Sequence, residues 1–308
     1  MSRFESDRIV QLRSWAILKR KEALQKLGAP IAPKKGSFRE RFMALPMGKD
    51  RDELVYQEAI KMPPPRMVAV TLPPVNGVSA SYDVMPDYLT IDGLKVPVSP
   101  VVAERIAHHF GLSLPTGKMS KQIYEASTAK IPPKPIDPSS HAITSSKEIA
   151  NFSDSYQKEM AKYKADDNTI YGGGMKDLIV PEGDPNFVHA TGWYDTNGKP
   201  IQGFRQSNHG LDYADYSHGT RLTGNFIFKK NGKTIGPLTL EQIMTDPKYK
   251  EFIPFISDKP GSYKTYASAA EAKTQKTPAP TVPQTQARSE QVMQKYDEFL
   301  DQIEEAVV

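Results

Sequence analysis

The run Ser207-Asn-His209-Gly-Leu-Asp212-Tyr-Ala-Asp215-Tyr-Ser217-His218-Gly-Thr-Arg221 holds the densest chemistry in this chain of 308 residues. Two of its six histidines, two aspartates and an arginine fall within 13 positions. Histidine and carboxylate together bind a divalent metal or carry protons as general acid and base. His209, Asp215 and His218 are therefore the expected catalytic groups or zinc ligands, and Arg221 is the expected anion binder. Geometry weighs against that reading. If Tyr213 to His218 is a regular strand, Asp215 and His218 leave it on opposite faces. They meet only through a bulge or turn, which Gly219 would allow. The plainer alternative is a polar turn whose histidines hydrogen-bond to backbone.

Two further motifs invite a function and fit it poorly. Gly172-Gly-Gly174-Met-Lys176 has backbone N–H groups enough to cradle a phosphate, but lacks the Gly-Lys-Ser/Thr ending and a preceding strand. It reads better as a flexible turn. Arg105-x-Ala107-x-x-x-Gly111-Leu-Ser113-x-x-Thr116 has the spacing of a helix-turn-helix. Gly117 stands where the second helix needs an apolar anchor, and Pro115 breaks its first turn. Two ordinary helices account for it, and nucleic acid is not an expected partner.

The elements that must position these residues are mixed. Short helices are expected over 38–45 and 49–61, ending at Pro63-Pro64-Pro65. Met67 to Leu72 and Val78 to Val84 alternate as strands across Asn76-Gly77, and Tyr88 to Ile91 faces Leu94 to Val96 across Asp92-Gly93. Ser99-Pro100 opens a helix that Gly111 closes, with the serine as its cap. Helices over 118–129 and 146–163 follow, the latter with Ile149, Phe152, Tyr156, Met160 and Tyr163 on one side. Strands are expected over 178–180, 188–193, 213–216 and 222–228, the last turning at Asn231-Gly232 into 233–235. Thr239 caps a helix over 240–244. The predicted class is α+β: a mixed antiparallel sheet core with surrounding helices, flanked by amphipathic helical arms.

Those arms set the domain plan. Residues 1–30 form a basic helical arm, 31–266 the main region with a possible sub-boundary near 131–145, 267–287 a Pro/Thr/Ala linker, and 288–308 an acidic helix. In that helix Val292, Tyr296, Phe299, Ile303 and Val307 recur close to a coiled-coil seam. A helix of about 20 residues is marginal alone and wants a partner surface. Helices 2–27 and 288–308 are thus the expected contacts with other protein subunits, and an oligomer or larger particle is expected. Amphipathic helices folded back on their own domain are the alternative.

Composition narrows the classes. The 26 prolines imply much extended connection, and 40 basic against 36 acidic side chains give only +4. The absence of cysteine excludes disulfides, thiolate zinc sites and cysteine nucleophiles. No apolar run approaches the ~20 residues of a membrane span. Met1-Ser-Arg-Phe-Glu-Ser-Asp does not have the pattern of a Sec signal, so action where the chain is synthesised, or inside a particle, is expected.

Gly192-Trp-x4-Gly-x-Pro-Ile-Gln and Tyr213-Ala-Asp-Tyr-Ser-His-Gly-x-Arg-Leu222 resemble motifs of a poorly characterised family of bacterial, often exported, proteins. Val84-Met-Pro-Asp-Tyr-Leu89, and Leu114-Pro-Thr-x-Lys-Met119 followed by Ile123-Tyr124, fit the same pattern, and the resemblance covers about 37–262. His209, Asp215, Ser217, His218 and Arg221 match. Tyr194 stands where the family tends to carry histidine, and Gly173-Gly-Met-Lys-Asp177 where it tends to read Gly-His-Lys-Lys-Asp. The resemblance implies a domain of hydrolytic ancestry, acting on cell-wall peptide or glycan, that has lost site residues here. The expected function is a structural or adaptor part of a larger assembly, with a phage virion as setting; a cell-wall hydrolase is the alternative. No cofactor is expected in the first case and zinc in the second.

Overall fold

The computed structural model describes residues 36–137, 139, 142–201, 205–259 and 263–270. These belong to a unit spanning Gly36–Thr274. Both terminal arms of the sequence reading lie outside the described residues.

In chain order the helices α1 (Phe38–Met43) and α2 (Lys49–Ala59) precede strands β1 (Val68–Val75), β2 (Val78–Val84), β3 (Thr90–Ile91) and β4 (Leu94–Lys95). Helices α3 (Pro100–His109) and α4 (Gly117–Ala126), strand β5 (Ala129–Lys130) and helix α5 (Ser146–Met160) follow. Strands β6 (Tyr171–Gly172), β7 (Lys176–Leu178), β8 (Phe187–Thr191), β9 (Arg205–Gly210) and β10 (His218–Gly219) come next. The hairpin β11 (Thr223–Lys230) and β12 (Lys233–Leu238) leads to α6 (Leu240–Thr245), a 3-10 turn over Pro247–Phe252, and α7 (Ile253–Ile256). The class is α+β.

Local turn chemistry fixes the three hairpins. Asn76 and Gly77, Asp92 and Gly93, and Asn231 and Gly232 all have φ between 49° and 75°. Two consecutive left-handed residues make the tight turn whose twist matches the strands it joins. The first sheet is antiparallel, in the order β1-β2-β11-β12. Its outer strands carry Pro73, Pro74 and Pro237, residues without an N–H to offer. Along β2 every second residue, Val78, Ala80, Tyr82 and Val84, is buried, as period-2 alternation requires. Tyr82 meets Phe226 there, and Phe228 stacks on Phe252 of the 3-10 turn at 4.1 Å.

The second sheet runs β10-β7-β8-β9, with β10 parallel to β7 and the remaining pairs antiparallel. Helix α5 buries Ile149, Phe152 and Tyr156, and Phe152 packs against Tyr216 at 4.9 Å. Among the described residues no helix is long and apolar enough to cross a membrane.

Several expectations need correction. The stretch 213–216 is not a strand but leads into a turn at Tyr216 and Ser217. Strand β9 and the helical residues 247–256 were not expected. Ser99 occupies the N-cap position of α3, but its hydroxyl makes no capping bond; its own N–H donates to the Asp52 carboxylate at 3.3 Å. The glycine run at 172–174 is buried, not a free turn: a methyl group on Gly174 would stand 2.3 Å from Tyr156 Cε2. The chain also stays packed beyond 266, since residues 266–270 are helical and Ala269 is buried. The spacing that suggested helix-turn-helix lies on α3 and α4, whose Met119, Ser120, Ile123 and Tyr124 face the interior.

Candidate functional site

Strands β7 and β10 lie side by side, so His218 stands opposite Lys176 and Gly219 opposite Asp177. Because alternate residues leave a strand on opposite faces, this short ladder separates two polar clusters.

One cluster surrounds Arg221, which is 0% exposed. Its Nε donates to Asp177 Oδ1 at 3.2 Å, Nη2 to the Tyr171 carbonyl at 2.7 Å, and Nη1 to the Met85 carbonyl at 3.3 Å. The guanidinium carbon lies 4.2 Å from the centre of the Tyr88 ring. The other Asp177 oxygen accepts the Ser120 hydroxyl. Burial pushes the Asp177 carboxyl up from its ordinary range, while the Arg221 charge and the Ser120 hydrogen bond pull against that shift. Arg221 is therefore not an anion binder for solution ligands: its bonds go to a buried carboxylate and to carbonyls of two chain segments.

Tyr88 reaches that stacked position only because position 219 has no side chain. A methyl there would stand 2.2 Å from Tyr88 Cδ1. Gly219→Ala is expected to destabilise the chain by about 1–3 kcal/mol, the usual cost of overpacking a filled core. Thermal and urea unfolding measure it, and an unchanged midpoint would show that the Tyr88 ring is free to move.

The second cluster contains the other expected residues. After β9 the chain turns, and Asp215 Oδ1 accepts the Ser217 N–H at 2.8 Å and the Ser217 hydroxyl at 2.6 Å. This local turn, closed by an aspartate accepting from the residue two ahead, brings Asp215 Oδ2 within 3.7 Å of His218 Nε2. The Tyr213 hydroxyl donates to the same oxygen at 3.2 Å. The Tyr213 ring contacts both histidines: His209 stacks on it at 3.6 Å, and His218 meets it edge-on at 5.6 Å. Lys176 Nζ lies 4.9 Å from the centre of the Trp193 indole.

Burial would raise the Asp215 carboxyl, but His218, Lys176 and the Ser217 donors outweigh it and hold its pKa at about 2. Burial pushes His218 down to about 4, against the attraction of Asp215. It lowers the Lys176 ammonium as well. At neutral pH the pair is an ionised carboxylate beside a neutral imidazole, which in charge state suits proton transfer. Access does not suit it: His218 is 3% exposed, and its ring lies against Tyr213.

The expected zinc set is not assembled. Among the described residues no group of three or more histidines and carboxylates is placed to hold a metal ion. Asp215 and His218 come together, His209 is engaged by Tyr213, and Arg221 belongs to the other cluster. Sequence reasoning missed Asp177, Lys176 and Tyr213 as partners. The first two were visible in the Met-Lys-Asp stretch, but nothing local ties it to residues some 40 positions on. A cavity of about 220 Å³ lies beside the Arg221 cluster, lined by Met62, Pro63, Met85, Pro86, Tyr88 and Leu222.

Compared with known proteins, the chain matches no family model, and no curated protein or solved structure is similar enough to count as a match.

Proposed function

We propose that this chain is a structural or adaptor component of a larger assembly, of the kind a phage particle contains, docking through segments 2–27 and 288–308. The observation that carries this reading is the employment of the reactive residues. Arg221 ties the segments of Met85 and Tyr171 to Asp177 in the interior, and Asp215 closes its own turn. Side chains committed in this way position strands and are not presented to a substrate. The motif resemblance is consistent with a hydrolytic ancestor whose site residues now hold the fold. The hydrolase alternative draws on one feature, the ionised Asp215 beside a neutral His218.

Native mass spectrometry of the full chain and of a chain ending at residue 287 separates the two. The expected result is a metal-free oligomer that becomes monomeric on truncation, with the unfolding midpoint of the core unchanged. A full-length monomer carrying one zinc ion that a chelator removes would overturn the assembly reading in favour of the hydrolase.

A further inference from the structure

Composition starts a linker at residue 267, yet residues 264–267 are bound into the core at three points. Tyr266 is fully buried, and its hydroxyl sits at the end of the β7–β8 ladder. Across that ladder Asp177 faces Thr191 and Leu178 faces Ala190. Ile179 and His189 are the next opposed pair, where antiparallel strands exchange two N–H···O bonds. One bond is direct, from the Ile179 N–H to the His189 carbonyl at 3.1 Å. The other passes through the tyrosine. The His189 N–H donates to the Tyr266 hydroxyl at 3.1 Å, and that hydroxyl donates to the Ile179 carbonyl at 2.7 Å.

The second point is Glu104 of α3. Its buried carboxylate accepts the N–H groups of Tyr266 at 3.2 Å and Ala267 at 2.8 Å, satisfying donors that the first turn of a helix leaves open. The third is Lys264, whose Nζ donates to the Gly183 carbonyl at 3.0 Å, in the loop that joins β7 to β8. Three contacts from residues 264–267 thus reach a helix, a strand ladder and its connecting loop.

We propose that residues 263–270 are a strap that couples the chain beyond residue 270 to the β7–β8 ladder, so that engagement of that chain by a partner acts on β7. Because the tyrosine hydroxyl is itself a link of the ladder, the strap and the ladder open together. Strand β7 also carries Lys176 and Asp177, so the strap bears on both polar clusters. The use of the strap by a partner rests on the assembly reading; the strap itself does not.

Hydrogen exchange on the full chain and on Tyr266→Phe tests it. The ring stays and only the hydroxyl is lost. Expected is an increase of roughly ten-fold in exchange at His189 and at the amides of 266–270 together, with β1, β2 and α5 unchanged. Faster exchange at His189 alone, with the strap amides protected as before, would overturn the proposal. If that variant unfolds as a whole, Glu104→Gln replaces it: one acceptor becomes an amide donor facing an N–H. Coupled loss of protection at 266–270 and His189 supports the strap, and loss at 266–270 alone overturns it. Neither measurement involves a partner, so failure of the strap is distinct from failure of assembly in native mass spectrometry.

Discussion

Arg221→Ala is expected to cost the folded chain about 3–5 kcal/mol, the range for removing one partner of a buried ion pair. The size of the effect comes from what remains. Asp177 would keep its Ser120 hydrogen bond but lose the cation that lies 3.2 Å from it, in a site closed to water. The carbonyls of Met85 and Tyr171 would lose a donor too, and each unsatisfied buried acceptor adds about 1–3 kcal/mol before relaxation. Urea unfolding of the two chains measures the difference. Replacing Asp177 and Arg221 together with apolar residues is expected to recover much of the loss, because no charge is then stranded. A loss below about 1 kcal/mol for Arg221→Ala would show that solvent reaches Asp177 and that the pair is not what joins these segments.

The second large effect is acid sensitivity at His218. Its pKa is about 4 in the folded chain against an ordinary value of 6.5, so between those limits the unfolded chain binds more protons. Stability therefore rises with pH across that window; it is fully present above 6.5 and is lost as pH falls toward 4. The shift corresponds to about 3 kcal/mol. Asp215, held at about 2 from 3.8, contributes in the same direction lower down, its share being lost as pH falls from about 4 to 2. Buried carboxyls with raised values, Glu104 and Asp177 among them, act with the opposite sign. The comparison that isolates the histidine is unfolding free energy against pH for the native chain and His218→Gln. The two curves are expected to diverge between pH 6.5 and 4 and to run parallel above that range. Curves parallel throughout would mean that the imidazole is solvated.

What the sequence reveals and what it hides divide along a physical line. Asn76-Gly77, Asp92-Gly93 and Asn231-Gly232 are legible because the left-handed pair is a property of two adjacent residues. Thr239 is legible for a similar reason, its hydroxyl and Gln242 closing a reciprocal cap over three residues. Residues 213–216 misled because alternating tyrosines look like a strand, while the Asp215 carboxylate settles the backbone locally with Ser217. Strand β9 has little apolar signal, since its place is set by pairing with β8. Pro247 and Pro254 read as breakers, yet each stands in the first turn of its helix, where a missing N–H costs nothing. The candidate site follows the same division. That Asp215 and His218 could meet only through a turn follows from strand geometry. That Arg221 belongs with Asp177, 44 residues earlier, does not, because such a pair is decided by which strands lie side by side.

The prolines on the outer strands of the first sheet matter for a protein expected to sit among many copies of itself. An open β edge is a template: its free N–H and C=O groups recruit any extended chain, and at high local concentration that recruitment runs on into aggregates. Pro73 and Pro74 interrupt one border and Pro237 the other. Each border therefore lacks a continuous row of N–H donors for an added strand. In the proposed assembly, contacts at this sheet would then be made by side-chain surfaces, which can specify one neighbour and stop, instead of by backbone, which accepts all comers.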